Sequence, residues 1–402
     1  MLKQLEARVS EADYYRWVIL TILFFIQATT SMFAFSFGPL APFLQSELGI
    51  TRAQIGMLSS AIYLGMFLFS THAGWLTDKY SIRFFLLLGP GVMGLLLLTM
   101  LLANSYMLII LIVFMCGVGY QFVNPTTVKS IILWFPPKLR GTAVGVKQGG
   151  ISFGGAVAAV ILPVIALSWG WRAGIVVISA AILITVIVCF IFYREPFDKD
   201  ISKKNTSAGF KEIARTITNR NVLLQSVVGM LYSIAVIAFS TYLVLYLHEV
   251  MSISGFLAGM CLMIAQFGMA AGRVLWGVIS DRLFEGRRKG TIILCGVFIT
   301  ALALIMILLA PLTPYWLVVV VSALFGLALG FHGVHTTFLG ELGKEMAATS
   351  VGFGAAVYAL GVVIGTPIFG IIVDNTGSYH MAWLFLAILS FTGIILTTLI
   401  KE

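Results

Sequence analysis

Apolar runs long enough to cross a lipid bilayer recur along the whole chain, from about residue 16 to residue 399. A helix needs roughly 20 residues to cross the hydrocarbon core. Runs of this length point to helices rather than the short alternating segments of a membrane barrel. Twelve spans are expected, the first over 16–43 and the last over 381–399. Composition agrees: the chain is 60% hydrophobic and 10% charged, against roughly 25% charged residues in a soluble domain. So much apolar surface cannot be hidden in a water-soluble globule. The net charge of +9 does not mark a nucleic-acid binder, because the cations fall in short loops between spans. Cys116, Cys189, Cys261 and Cys295 are scattered through apolar segments with no metal spacing, so they read as small buried apolar residues. No metal or cofactor is expected. The first apolar run lacks a short core followed by a cleavage site, and no removable signal peptide is expected.

Lysine and arginine set the orientation. One alternating set of loops holds Lys79, Arg83, Lys138, Arg140, a basic 194–220 segment, Arg282, Arg287, Arg288 and Lys289; the other holds only Arg52 and Arg172. This asymmetry places both termini and the 194–220 segment in the cytoplasm of a multi-pass protein of the cell (inner) membrane. Residues 194–220 form the only long loop and divide the chain into six spans over 1–193 and six over 221–402. A short surface helix is expected at 208–218. The two sets repeat each other. Gly74 and Asp78 recur as Gly277 and Asp281, and Thr142-Ala-Val-Gly145 recurs as Thr349-Ser-Val-Gly352. An internal repeat of six helices is a fold-level signal.

Inside the spans lie Lys129, Lys147 and Arg273, with no Asp or Glu. An intramembrane charge is costly and normally faces a cavity on a substrate or ion path. Cations without a buried anion leave a positive cavity, and an anionic substrate supplies the missing charge most simply. Arg273 sits roughly 10 Å deep at 1.5 Å per residue, with Gln266 two turns away on the same face. Lys147 follows in Val-Lys-Gln-Gly-Gly, while Lys129, nearer the end of span four, can snorkel to the headgroups. Gln27, Thr30, Tyr120, Asn124, Gln148, Tyr232, Tyr242, His332, His335 and Thr336 are further candidates to line the cavity. Asn124 precedes Pro125, which predicts a disturbed helix there. Gly145, Gly149, Gly150 and Gly154 give span five small faces for tight packing. His332 and His335 share a helix face and titrate near neutral pH, which makes them candidates for proton coupling. Anion exchange, or a proton carried with the anion, fits the composition equally well.

These residues resemble the major facilitator superfamily, and the resemblance covers essentially the whole chain. Its loop signature after span two, G-x-x-x-D-[RK]-x-[GS]-x-[RK], is matched by Gly74, Asp78, Lys79, Ser81 and Arg83. The second copy is looser: Gly277, Asp281 and Arg282, then a displaced basic cluster. The resemblance implies an all-α membrane protein of twelve helices in two pseudo-symmetric six-helix halves, working by rocker-switch alternating access, and no enzyme. It also implies that both turns are gating latches, with Gly74 and Gly277 permitting close helix approach. Residues 134–150, 272–282 and 367–379 resemble the cyanate-permease-like branch, and also the oxalate/formate and monocarboxylate branches. In the latter, an arginine on span eight binds the substrate carboxylate. By that resemblance Arg273 is the anion anchor, with Lys147, Gln266, Asn124, Tyr120, Gln148 and His332 as its companions. The expected activity is secondary transport of a small organic or inorganic anion, by antiport or proton cotransport, in a monomer that partners only lipid, substrate and protons or a counter-anion. A multidrug efflux proton antiporter is the alternative, disfavoured by the absence of a buried carboxylate. A receptor or scaffold is disfavoured by the absence of a sizeable soluble domain.

Overall fold

The computed structural model describes residues 2–195 and 218–401, with side chains described from residue 14 onward except at 70–72, 74, 75, 78, 79, 137, 138, 345 and 348. Most of the 194–220 linker, with the helix expected at 208–218, lies outside the described residues. So do the side chains of Gly74, Asp78 and Lys79.

A backbone in hydrocarbon must satisfy its own polar groups, and helices do so within one segment. Among the described residues, eleven apolar helical segments are long enough to cross a membrane. One of them, Pro137–Phe192, has 56 residues, well over twice the needed length, and breaks at Gly170, whose φ of 79° favours glycine. The chain doubles back there. A Cβ on Gly174 would stand 3.4 Å from Leu162, whereas twelve residues of straight helix separate their ends by roughly 18 Å. The segment therefore supplies two spans, five and six, so that the eleven segments of the described residues make twelve crossings.

Span one comprises Leu2–Ala34 and Phe37–Leu48; span two is Arg52–Lys79, span three Ile82–Thr99, and span four Tyr106–Gln121 with Val123–Trp134. Span seven is Arg220–Met251, eight Gly255–Arg282, nine Arg288–Leu308, ten Tyr315–Leu329 with His332–Gly343, eleven Ala347–Thr376 and twelve Tyr379–Thr398. Local chemistry sets the ends. Thr51 and Gln54 form a capping box at the start of span two. Ser81, Ser105, Asn219, Ser254 and Ser378 accept backbone N–H bonds at other helix starts. The interruption in span four falls where Asn124-Pro125 predicts it. Pro125 has no N–H for the carbonyl of Gln121, and the helix breaks at Phe122. Hydroxyls of Thr126 and Thr127 take the carbonyls of Phe122 and Asn124. Span ten breaks at the corresponding place, at Gly330–Phe331.

Span five holds the halves in register. A Cβ on Gly154 would stand 2.0 Å from the Ala28 carbonyl of span one, and one on Gly259 of span eight 2.1 Å from the Ala159 carbonyl. Only glycine permits either approach. Gly145, by contrast, has nothing within 4 Å. Two faces follow: a basic face carrying Arg83, Arg140 and Arg288, and an opposite face carrying Arg52 and Arg172. Among the described residues, every hydrogen bond between the halves lies between the opposite face and the level of Arg273. Tyr242 Oη donates to the Arg52 carbonyl at 2.8 Å, Ser59 meets Thr241 at 3.0 Å, and Ser60 donates to the Val362 carbonyl at 3.2 Å. Toward the basic face, a Cβ on Gly141, Gly145, Gly277 or Gly352 would meet nothing within 4 Å. Among the described residues, hydrogen bonds join the halves on the opposite face and none joins them beyond Arg273 toward the basic face.

Candidate functional site

Arg273 sits where those bonds end. Span eight carries it on the face that crosses to span five, and Nη1 donates to the Gln148 carbonyl at 3.2 Å. The side chain is half-buried. Among the described residues it has no carboxylate partner. A guanidinium needs its five N–H groups occupied, and one carbonyl leaves most of them open to the space between the halves. Three phenols lie within electrostatic reach of it: Tyr63 from span two, Tyr120 from span four and Tyr358 from span eleven. His332 from span ten is also close, is exposed, and meets the Tyr358 ring edge-to-face at 5.3 Å. Tyr120 Oη bonds Ser31 at 2.9 Å and Gln27 Nε2 at 3.4 Å, which brings span one to the site. Gln266, one heptad before Arg273 and 1% exposed, has neither amide atom paired and packs against Gly155 of the other half.

The other candidates separate. Asn124 is exposed, but its Oδ1 is taken by Lys147 Nζ at 2.7 Å. Lys147 itself is fully buried, so its charge is withdrawn from the cavity surface. Gln148 contributes its backbone carbonyl. His335 is buried and faces Gln225 at 2.8 Å between spans seven and ten, while His332 alone of the pair faces the cavity. Lys129 donates to the Thr77 carbonyl at 2.6 Å, nearer the basic face. Sequence reasoning missed Tyr63 and Tyr358. Each is one tyrosine among thirteen, and only the packing of spans two and eleven brings them to Arg273.

Charge networks stand at both ends. On the basic face Asp281 pairs with Arg288 at 2.5 Å rather than with Arg282, and Arg288 also reaches Ser280 and Glu341. Arg83 Nη2 donates to the Phe190 carbonyl at 2.6 Å, and its backbone N–H to Glu195 at 3.1 Å. Among the described residues, neither cluster crosses to the other half, although Glu195 belongs to the start of the linker. On the opposite face the network crosses between halves. Asp374 Oδ1 accepts from the backbone N and Nη1 of Arg52, and its Oδ2 from Ala53 N at 2.8 Å. Glu249 Oε2 accepts from Arg52 Nη2 at 2.8 Å and from Tyr379 Oη at 2.9 Å.

Residues 23–354 match the family model described as Major Facilitator Superfamily. The chain is 24% identical to a protein named as a probable sulfoacetate transporter from Cupriavidus necator, the match covering 86% of this chain and 84% of that one. It is 25% identical to a hexuronate transporter from Bacillus subtilis, over 86% and 85%. It is 22% identical to a protein named as a probable galactarate/D-glucarate transporter from the same organism, over 92% and 88%. Among solved structures it resembles a bacterial homologue of the human lysosomal transporter Spinster in an inward-facing, occupied conformation. That match has a TM-score of 0.76 and 17% identity, covering 96% of each chain.

Proposed function

We proceed from the fact that the chain belongs to the major facilitator superfamily, and propose that it moves a small organic anion across the membrane by alternating access. The observation that carries this reading is Arg273: an intramembrane guanidinium at the junction of the two halves, open to the space between them, with no carboxylate partner among the described residues. A charge in that position persists when something of opposite sign visits it. The named relatives supply the chemistry, since sulfoacetate, hexuronate and galactarate are all acid anions.

The mechanism follows from the geometry. With the basic face assigned to the cytoplasm by its lysines and arginines, both termini are cytoplasmic and the conformation is open inward. An anion entering from that side meets Arg273, which offers a planar fork for a carboxylate, flanked by Tyr63, Tyr120, Tyr358 and His332. Neutralising the cation removes the cost of enclosing it. The halves then close on the basic face and separate on the other. The Arg52–Glu249 and Arg52–Asp374 bonds break in that step, and the turns at Gly74–Arg83 and Gly277–Arg282 form contacts across the halves. An empty site would carry an unpaired cation through the closed state at a cost of several kcal/mol. That favours exchange, or cotransport with a charge-compensating ion, over uncoupled return.

The test is thermal stabilisation of the purified full chain by a panel of acid anions, with Arg273→Gln alongside. Stabilisation by one acid class, abolished in the variant, is expected. Stabilisation by lipophilic cations instead, unaltered in the variant, would overturn the reading in favour of drug efflux.

A further inference from the structure

We propose that the site selects a singly charged acid bearing several hydroxyl groups over both a dianion and a bare carboxylate. The inference rests on the anion-carrier reading and narrows its substrate class. It follows from a count of charges and of unpaired hydrogen-bonding atoms around Arg273.

The charge count is one. Among the described residues Arg273 is the cation exposed at the junction of the halves. Lys147 has no exposed surface, and its ammonium is directed at Asn124 Oδ1. Lys129 is drawn to the Thr77 carbonyl, and Arg140 to the carbonyls of Ile132 and Phe135, both nearer the basic face. His332 has a ring that is ordinarily uncharged at neutral pH. Among the described residues, a second carboxylate on the ligand would have no fixed cation there to meet it.

The hydrogen-bond count is larger. Among the described residues, the phenols of Tyr63 and Tyr358 have no hydrogen-bond partner, although both lie near Arg273. Gln27 Oε1 and both amide atoms of Gln266 are buried and equally unpaired. His332 adds an exposed ring. Buried polar atoms are almost always paired in folded proteins, so the unpaired amide atoms of Gln27 and Gln266, together with the two phenols and the His332 ring beside Arg273, make a lining for a ligand rich in both donors and acceptors. Hydroxyls serve as both. An alkyl carboxylate would satisfy Arg273 and leave the rest unpaired, a strong source of discrimination.

Three ligands of equal chain length separate these terms: D-glucuronate with one carboxylate and several hydroxyls, D-glucarate with two carboxylates, and hexanoate with one carboxylate and no hydroxyl. Dissociation constants are measured on the purified full chain at neutral pH. The expected result is that D-glucuronate binds at least about tenfold more tightly than either of the others. Tyr63→Phe and Tyr358→Phe, which keep ring packing, are expected to weaken D-glucuronate several-fold and leave hexanoate unchanged. Equal or tighter binding of D-glucarate would overturn the charge count, and equal or tighter binding of hexanoate, or full D-glucuronate affinity in both phenylalanine variants, would overturn the hydroxyl lining. If none of the three binds while another acid of the panel does, this inference falls and the anion-carrier reading stands. If no anion binds, both fall.

Discussion

Arg273 and Lys147 are both cations buried in the sequence's apolar spans, yet the structure gives them different surroundings. Arg273 is half-exposed at the junction of the halves, and Lys147 is enclosed inside the first half against a neutral amide. Their substitutions are expected to differ accordingly. Arg273→Gln should cost at least about a hundredfold in anion affinity, because a charge-assisted bidentate contact is lost. Lys147→Met should cost less than about tenfold and leave the melting temperature unchanged or raised, since replacing a buried charge by an apolar group of similar volume is often stabilising. Parallel titrations of the two variants check this. The presence of both cations was legible in the sequence, but which of them reaches the cavity was not. That depends on the helical phase of span five against span one, fixed by Gly150 and Gly154 pressing on the Phe24 and Ala28 carbonyls. Gly154→Leu should therefore lower stability by about 1–3 kcal/mol through overpacking, read as a fall in melting temperature with the anion response retained in the folded fraction.

At the scale of elements, span two is tied to spans seven, eleven and twelve at the opposite face through Arg52, Glu249, Asp374 and Tyr379. These bonds join charged groups whose side chains are less than a third exposed, so each is worth about 1–3 kcal/mol. Arg52→Gln should shift the population toward the state open on that face by roughly five- to a hundredfold. Labelling of Ser59→Cys, at the interface just below, reports it: faster modification from the Arg52 side is expected, and an unchanged rate would mean the network does not hold the halves. The sequence marked Arg52 as a loop cation on that face, yet nothing in it joined Arg52 to Asp374, because the two lie far apart in the chain and meet only through the pairing of spans two and eleven. The break in span four was legible because Pro125 removes a particular hydrogen bond. The matching break in span ten has no proline and rests on the close approach of Gly330 to Gly272, which only packing reveals.

For the whole molecule, the length and number of apolar spans, the loop asymmetry and the paired turns at Gly74 and Gly277 were enough to identify the superfamily fold. What they left open was the conformation, because a sequence that alternates between two arrangements must be compatible with both. A carrier whose site is cationic when empty should exchange anions faster than it returns unloaded, by more than about tenfold if the uncompensated charge costs several kcal/mol. Efflux of a labelled anion from vesicles, with and without unlabelled anion outside, measures that ratio. The most direct test of the central claim is uptake of labelled D-glucuronate, or of whichever panel acid binds most tightly, into proteoliposomes preloaded with the same unlabelled acid. Wild-type and Arg273→Gln protein would be compared at equal incorporation. The account predicts counterflow into wild-type vesicles and none above protein-free vesicles for the variant. Counterflow of equal rate in the variant would contradict it, and would leave Arg273 as a structural residue bound to the Gln148 carbonyl.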